Sequence, residues 1–275
     1  MISKVKTFFV PGEEWVYYKV YCGISTIDYL LLNSIKPLID KFLNEKTIKK
    51  WFYIRYNDSD NHLRLRLLLT NKINISCVIE EINKVIEPYM LTNQIWNLQL
   101  STYKRELVRY GSTSMEISET FFFNDSENII KLIEKSSDEK ELFSLTFSYI
   151  NSIIELFNFN EEILISFLFA MQKSFKKEFN VEKNTTKKSL SNKYREFEKN
   201  IIPIVRFVDL ENLKVLIDEI IFLDKENKLE VSIEELLGSY IHMSLNRAFS
   251  NRQRLFEMII YDFLYKNYKS KFARL

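Results

Sequence analysis

Residues 62–69 read HLRLRLLL. Leu63, Leu65, Leu67 and Leu69 fall on one face, and His62, Arg64 and Arg66 on the other. A period of two is that of a β-strand with one buried side. The stretch EEWVYYKVYCG (13–23) is rich in Trp, Tyr and Val and predicts a second strand, and KKWFYIRY (49–56) a third. The turn residues NDSDN (57–61) between two of these runs predict a hairpin with a loop of about five residues. QIWNLQLSTY (94–103) alternates again. Two stretches carry helical spacing. One is 25–45, where Ser25 or Thr26 can cap the helix and Pro37 is placed to kink it. The other is 74–90, expected to break near Pro88.

After the RYG at 109–111 the pattern changes to a helical period that persists to the end of the chain, with no internal repeat. The clearest helix is 232–249: Ser232 and Glu235 have capping-box spacing, and Ile233, Leu237, Ile241 and Leu245 make an apolar stripe. The polar stretch 181–200 predicts a loop or a solvated helix, its lysines facing water rather than an acidic partner. The expected fold class is α+β: a mainly antiparallel sheet with helices (1–111) packed against a largely helical part (112–275), forming one domain over 1–275.

Composition narrows the function. With 39 Lys plus Arg against 37 Asp plus Glu, the net charge of +2 argues against direct nucleic-acid binding. Four glycines and no GxGxxG or GxxxxGK[ST] argue against a nucleotide loop. Two distant cysteines, no secretory signal and no membrane span point to the cytoplasm. Two histidines without a CxxC or HExxH pattern are poor metal ligands, so no metal is expected.

Three constellations carry candidate chemistry. Arg64 and Arg66 emerge about 7 Å apart on one strand face and could grip an anion, although an exposed basic sheet face is the ordinary alternative. In TYKRELVRYG (102–111), Glu106 and Arg109 share a face if the segment is helical, as a surface ion pair or as site residues. His242 lies on the polar flank of the 232–249 helix, in line with Glu235, Ser239 and Asn246, where a structural role is the commoner one.

Taken together, EEWVYYKVYCG, KKWFYIRYNDSDNHLRLRL, LSTYKRELVRYG, FFNDS and IHMSLNR resemble, in this order, the C-terminal elimination domain of class I lanthipeptide dehydratases, a family also labelled thiopeptide-type bacteriocin biosynthesis. The resemblance covers 13 to the C-terminus. It implies a lyase that removes glutamate from glutamylated Ser or Thr of a precursor peptide, leaving dehydroalanine or dehydrobutyrine. A separate glutamyl-tRNA-dependent protein would attach the glutamate. It implies functional roles for the arginines of the HLRxR strand (Arg64, Arg66), the Glu and second Arg of RExxRYG (Glu106, Arg109) and the His of HxxxNR (His242). His242 would be a general acid/base, with the proton it moves left open, and Glu106 would orient an arginine or act as the base itself. Arg64, His62, Tyr110, Asn246 and Arg247 are candidate substrate-binding residues, His62 shaping the pocket rather than catalysing. No cofactor is required by this scheme, and a homo-oligomer is compatible with it. The alternatives are a thiopeptide pyridine synthase, which shares the fold and performs a formal [4+2] cycloaddition between dehydroalanines, and a non-catalytic peptide-docking subunit.

Overall fold

The computed structural model describes residues 5–181, 184–199, 201–202 and 208–274. Four antiparallel strands form the main sheet in the order β3 (Ile48–Asn57), β4 (Asn61–Leu69), β2 (Trp15–Cys22), β5 (Ile95–Leu100). β1 (Phe8–Phe9) and β6 (Tyr103–Lys104) make a short separate ribbon. The register places Arg66 between Tyr17 and Phe52, Arg64 between Lys19 and Ile54, and His62 between Tyr21 and Tyr56.

The leucines of β4 point the other way. With Val16, Tyr18, Val20, Trp51 and Tyr53 they bury against α1 (Ile24–Leu30), α2 (Lys36–Asn44) and α3 (Ile75–Leu91). The opposite face carries Trp15, Tyr17 and Phe52, which join Phe9 and Tyr103 in the core of the helical part. The sheet therefore separates two apolar clusters, as expected when both faces must leave water.

Several local expectations change. Asn57 pairs with Asn61, so the hairpin loop is Asp58, Ser59 and Asp60, tighter than the turn composition suggests. Gly23 is the N-cap residue of α1, which puts Ser25 and Thr26 inside the first turn. Before Pro37 the helix widens into a π-helical stretch, Leu31–Ile35, with right-handed helical angles at both junctions, and Pro37 follows as the second residue of α2, where the wider turn accommodates the N–H it lacks. α3 continues through Pro88 to Leu91; one lost hydrogen bond so near a helix end does not stop it.

The remaining helices are α4 (Leu107–Tyr110), α5 (Met115–Lys135), α6 (Glu139–Leu156), α7 (Glu161–Glu178), α8 (Asn184–Glu198), α9 (Glu211–Lys225), α10 (Ile233–Ala248) and α11 (Gln253–Phe272). α8 is the polar stretch; Leu190 and Tyr194 on it are buried, while Glu182, Lys183 and Asn200 and the side chains of 184–189 lie outside the described residues. The capping box of Ser232 and Glu235 starts α10, whose Leu236, Leu237, Tyr240, Ile241 and Leu245 are fully enclosed. Among the described residues no helix is long and apolar enough to cross a membrane.

α5 and α10 close the free edge of β3. Lys50 donates to Thr120 at 2.7 Å and Trp51 Nε1 to Glu127 at 2.7 Å. Asn246 accepts from the Arg55 N–H at 2.9 Å and donates to the Arg55 carbonyl at 2.8 Å, satisfying backbone groups an edge strand would leave open. Asp125, with no solvent exposure, binds Arg247 at 2.8 Å, Tyr149 at 2.9 Å and Ser244 at 2.7 Å, tying α5, α6 and α10 together. Asp125→Ala would leave the Arg247 cation enclosed without a counter-charge, and urea unfolding should show a loss of about 3–5 kcal/mol. A loss under about 1 kcal/mol would mean the pair does not organise this core.

Candidate functional site

The candidate residues fall in three places. The first is the far end of the β4 polar face. His62 is fully buried, stacked on Tyr21 with ring centroids 4.7 Å apart. Its Nδ1 lies 2.9 Å from the Asp60 carbonyl, which can only accept, so Nδ1 carries the proton. Nε2 then accepts from Arg64 Nε at 3.0 Å. Arg64 lies over the Tyr56 ring at 3.4 Å and reaches Asp58 at 3.5 Å. Both ring nitrogens of His62 are thus committed in the neutral form, and burial pushes its pKa below the usual histidine value.

The second place is a small cavity of about 30 Å³, enough for one water, lined by Arg66, Glu106, Tyr110, Met243 and Arg247 among others. The Arg66 guanidinium sits 4.5 Å from the Tyr17 ring, 4.9 Å from Tyr103 and 5.2 Å from Phe52. Its Nε is buried without a partner, and among the described residues no carboxylate pairs with it. Burial pushes the guanidinium pKa down. Arg247 presents Nε and Nη2, likewise unpartnered, beyond its bond to Asp125. Tyr110 is enclosed, and burial raises its hydroxyl to about 12.

The third is a cavity of about 540 Å³ on the other side of α4, with Arg109, Ser239, His242, Arg254 and Glu257 on its polar wall and Phe167, Met171 and Phe175 on its apolar wall. Arg109 donates from Nε to Ser239 Oγ at 3.2 Å and lies 3.7 Å from Glu106. His242, one quarter exposed, has Nδ1 3.0 Å from Glu257 Oε2. Arg254 donates to the same oxygen at 2.9 Å and pairs with Glu178 at 2.6 Å.

The structure therefore brings Arg66, Glu106, Tyr110 and Arg247 to one cavity and Arg109 and His242 to its neighbour. Arg64 and His62 line neither, and Asn246 stitches α10 to β3. Glu106 is the N-cap residue of α4 and Arg109 is in its single turn, so α4 is the wall between the two cavities. Gly111 ends that turn at φ +71°, where a Cβ would also meet Ser114 Oγ at 3.3 Å. Glu257, Arg254 and Glu178 escaped the sequence reading. One signal was present: Glu257 stands on the stripe of Ile260, Tyr261, Leu264 and Tyr268, an acid at a core position of α11.

Two outcomes follow from these environments. A buried arginine without an acid partner does not serve stability, so Arg66→Met should leave the thermal midpoint unchanged or raise it, by differential scanning calorimetry; a marked drop would assign Arg66 to the fold. His62 has a lowered folded pKa, so its contribution to stability is complete above the unfolded value of about 6.5 and is lost as pH falls from there toward the folded value. Urea midpoints at pH 7.5 and 5.5 should therefore separate more for the parent protein than for His62→Gln.

Comparison with known proteins places the chain in a family. The sequence is 26% identical over 280 aligned residues to the subtilin biosynthesis protein SpaB of Bacillus subtilis, covering 91% of this chain and 25% of that one. It is 27% identical over 243 residues to the epidermin biosynthesis protein EpiB of Staphylococcus epidermidis, covering 84% and 23%. The chain spans about a quarter of the length of these relatives. Among solved structures, the tRNA-dependent lantibiotic dehydratase MibB of Microbispora sp. 107891 superposes with a TM-score of 0.71 at 16% identity, covering 97% of this chain and 29% of that one. The pyridine synthase TbtD from thiomuracin biosynthesis superposes with a TM-score of 0.64 at 13% identity, covering 94% and 100%. The sequence profile of the lantibiotic biosynthesis dehydratase C-terminal family matches residues 15–268, and the chain belongs to that family.

Proposed function

We propose that this chain is a lyase of ribosomal peptide biosynthesis that eliminates glutamate from glutamylated Ser or Thr of a precursor peptide, giving dehydroalanine or dehydrobutyrine. The observation that carries the reading is the shared cavity of His242 and Arg109, a titratable imidazole and a permanent cation facing one space of about 540 Å³. The family match over 15–268 supports it. In the elimination, His242 takes the Cα proton. The Cα–H electron pair becomes the new double bond, the Cβ–O bond breaks, and its electrons leave on the glutamate carboxylate. Arg109 faces the charge that develops, where a fixed cation stabilises the transition state more than the ground state. Arg66 offers a second cation one α4 turn away, with Glu106 beside it. The glutamyl ester on which this step acts would be installed by a glutamyl-tRNA-dependent activity.

Incubation of the purified chain with a glutamylated Ser or Thr peptide, followed by mass spectrometry, should show release of one glutamate per dehydro residue formed. His242→Ala should slow that release by about 10²–10⁴-fold. An unchanged substrate mass sinks the proposal. A ring formed from two pre-made dehydroalanines, with no release from the glutamylated peptide, would instead assign the cycloaddition. Binding without turnover would assign a docking role.

A further inference from the structure

Four carboxylates are buried among the described residues: Glu119, Asp125, Glu257 and Asp262. Three of them are saturated by fixed donors. Glu119 takes Arg105 through both oxygens at 2.7 Å and the Tyr103 hydroxyl at 2.8 Å. Asp125 takes Arg247, Tyr149 and Ser244. Asp262 takes Gln172 at 2.8 Å, Lys176 at 2.7 Å and Lys266 at 2.6 Å. Asp125 and Asp262 bind helices together, Glu119 binds α5 to the β6 segment, and none of the three lines either site cavity. Glu257 differs: its partners are Arg254 and a histidine on a cavity wall. Its side chain is 2% exposed on an otherwise apolar stripe, where Leu or Met would pack without the cost of burying a charge.

We propose that Glu257 is a positioning residue for His242: it fixes the imidazole proton on Nδ1 and leaves the Nε2 lone pair directed to the cavity. An ionised carboxylate has no proton to give, so at 3.0 Å from Nδ1 it can only accept. The neutral imidazole is thereby held as the Nδ1–H tautomer. The ring orientation is set by the same bond, and Nε2 becomes the atom that can take a proton. Arg254 keeps Glu257 in place, and Glu178 anchors Arg254 through two contacts, at 2.6 and 3.2 Å. The chain His242–Glu257–Arg254–Glu178 thus crosses α10, α11 and α7, so the base is oriented by helix packing rather than by a loop. On the same polar wall Arg109 is held by Ser239, one turn before His242.

The inference rests on His242 being the base, and the decisive variant is Glu257→Gln. Arg254 would hold the amide oxygen at the Oε2 position, which leaves the NH2 group at the Oε1 position, 3.3 Å from Nδ1. The charged acceptor is then gone and a donor stands beside Nδ1, so the Nδ1–H tautomer loses its support, the ring proton shifts to Nε2, and the lone pair is withdrawn from the cavity. Because the chain has two histidines, ¹⁵N-histidine labelling and long-range ¹H–¹⁵N correlation at a pH where both rings are neutral read each tautomer directly, with His62 as internal reference. In the parent, His242 should carry its proton on Nδ1; in Glu257→Gln, on Nε2. With the glutamylated peptide, Glu257→Gln should lower kcat by about 10²–10⁴-fold, as when the orienting acid of a base is replaced by its amide, with KM changed less than about twofold. Glu257→Asp should recover part of kcat, and Glu257→Gln should add no further loss in a His242→Ala background. An unchanged tautomer in a folded Glu257→Gln protein overturns the inference, as does a further loss in the His242→Ala background. Failure of the parent reading looks different: His242→Ala would then turn over as fast as the parent protein, while the tautomer arm still decides the Glu257–His242 link.

Discussion

Asp125 and Arg247 meet 2.8 Å apart with neither side chain open to solvent. Such a pair is costly to enclose; here the carboxylate is fully met, while Arg247 keeps Nε and Nη2 open toward the small cavity. Tyr149 and Ser244 complete the carboxylate, and the backbone carbonyl of Arg247 accepts from Tyr53 and from Arg55 Nε at 3.2 and 3.0 Å. Asn246 beside it holds the Arg55 peptide. The C-terminal turn of α10 is therefore fastened to β3, the neighbour of the arginine strand. His242 stands five residues earlier on the same rigid helix, about 7.5 Å along its axis. The position of the imidazole relative to the sheet thus follows from an ion pair that bonds to neither the β4 arginines nor the imidazole itself.

The same logic explains the wall between the cavities. α4 is one turn, too short to hold its shape by its own hydrogen bonds. It is fixed from outside: Tyr110 packs on Phe122 and Tyr240, and after Gly111 the Ser112 N–H donates to Glu230 at 2.6 Å. One turn places Glu106 toward Arg66 and Arg109 toward His242. The two cations differ in kind. Arg109 is 37% exposed and partly screened; Arg66 is enclosed by three rings, and among the described residues no carboxylate forms an ion pair with it. The π-faces stabilise a cation without neutralising it, so the field of Arg66 remains available to an incoming anion.

Strand alternation and the capping box made the sheet, β4 and α10 legible before any coordinates, because both are local patterns with fixed periods. Four features were not. The π-helical stretch before Pro37 and the passage of α3 through Pro88 depend on where in a helix the proline falls. The division of the arginine, glutamate and histidine set between two cavities depends on tertiary packing of α4, which no spacing encodes. The Glu257–Arg254–Glu178 chain joins residues on two helices to a third; only the acid on the apolar stripe of α11 hinted at it. Arg247 and Asn246 sit in the same motif as His242, but they bond to Asp125 and the Arg55 peptide, which proximity in sequence to a candidate base does not foretell.

The fold by itself does not choose between chemistries, since a dehydratase and a pyridine synthase both superpose on this chain at low identity. The charges bear on the choice. A cycloaddition between neutral alkenes develops little net charge, so a buried arginine left without an acid, and an imidazole held by an enclosed glutamate, would stay uncompensated through the reaction. An elimination that expels a carboxylate creates a full negative charge and moves a proton. On that reading the unneutralised Arg66, the half-exposed Arg109 and the oriented His242 each meet a group that appears only as the Cβ–O bond breaks, and interactions realised only at that point are the ones that accelerate a reaction.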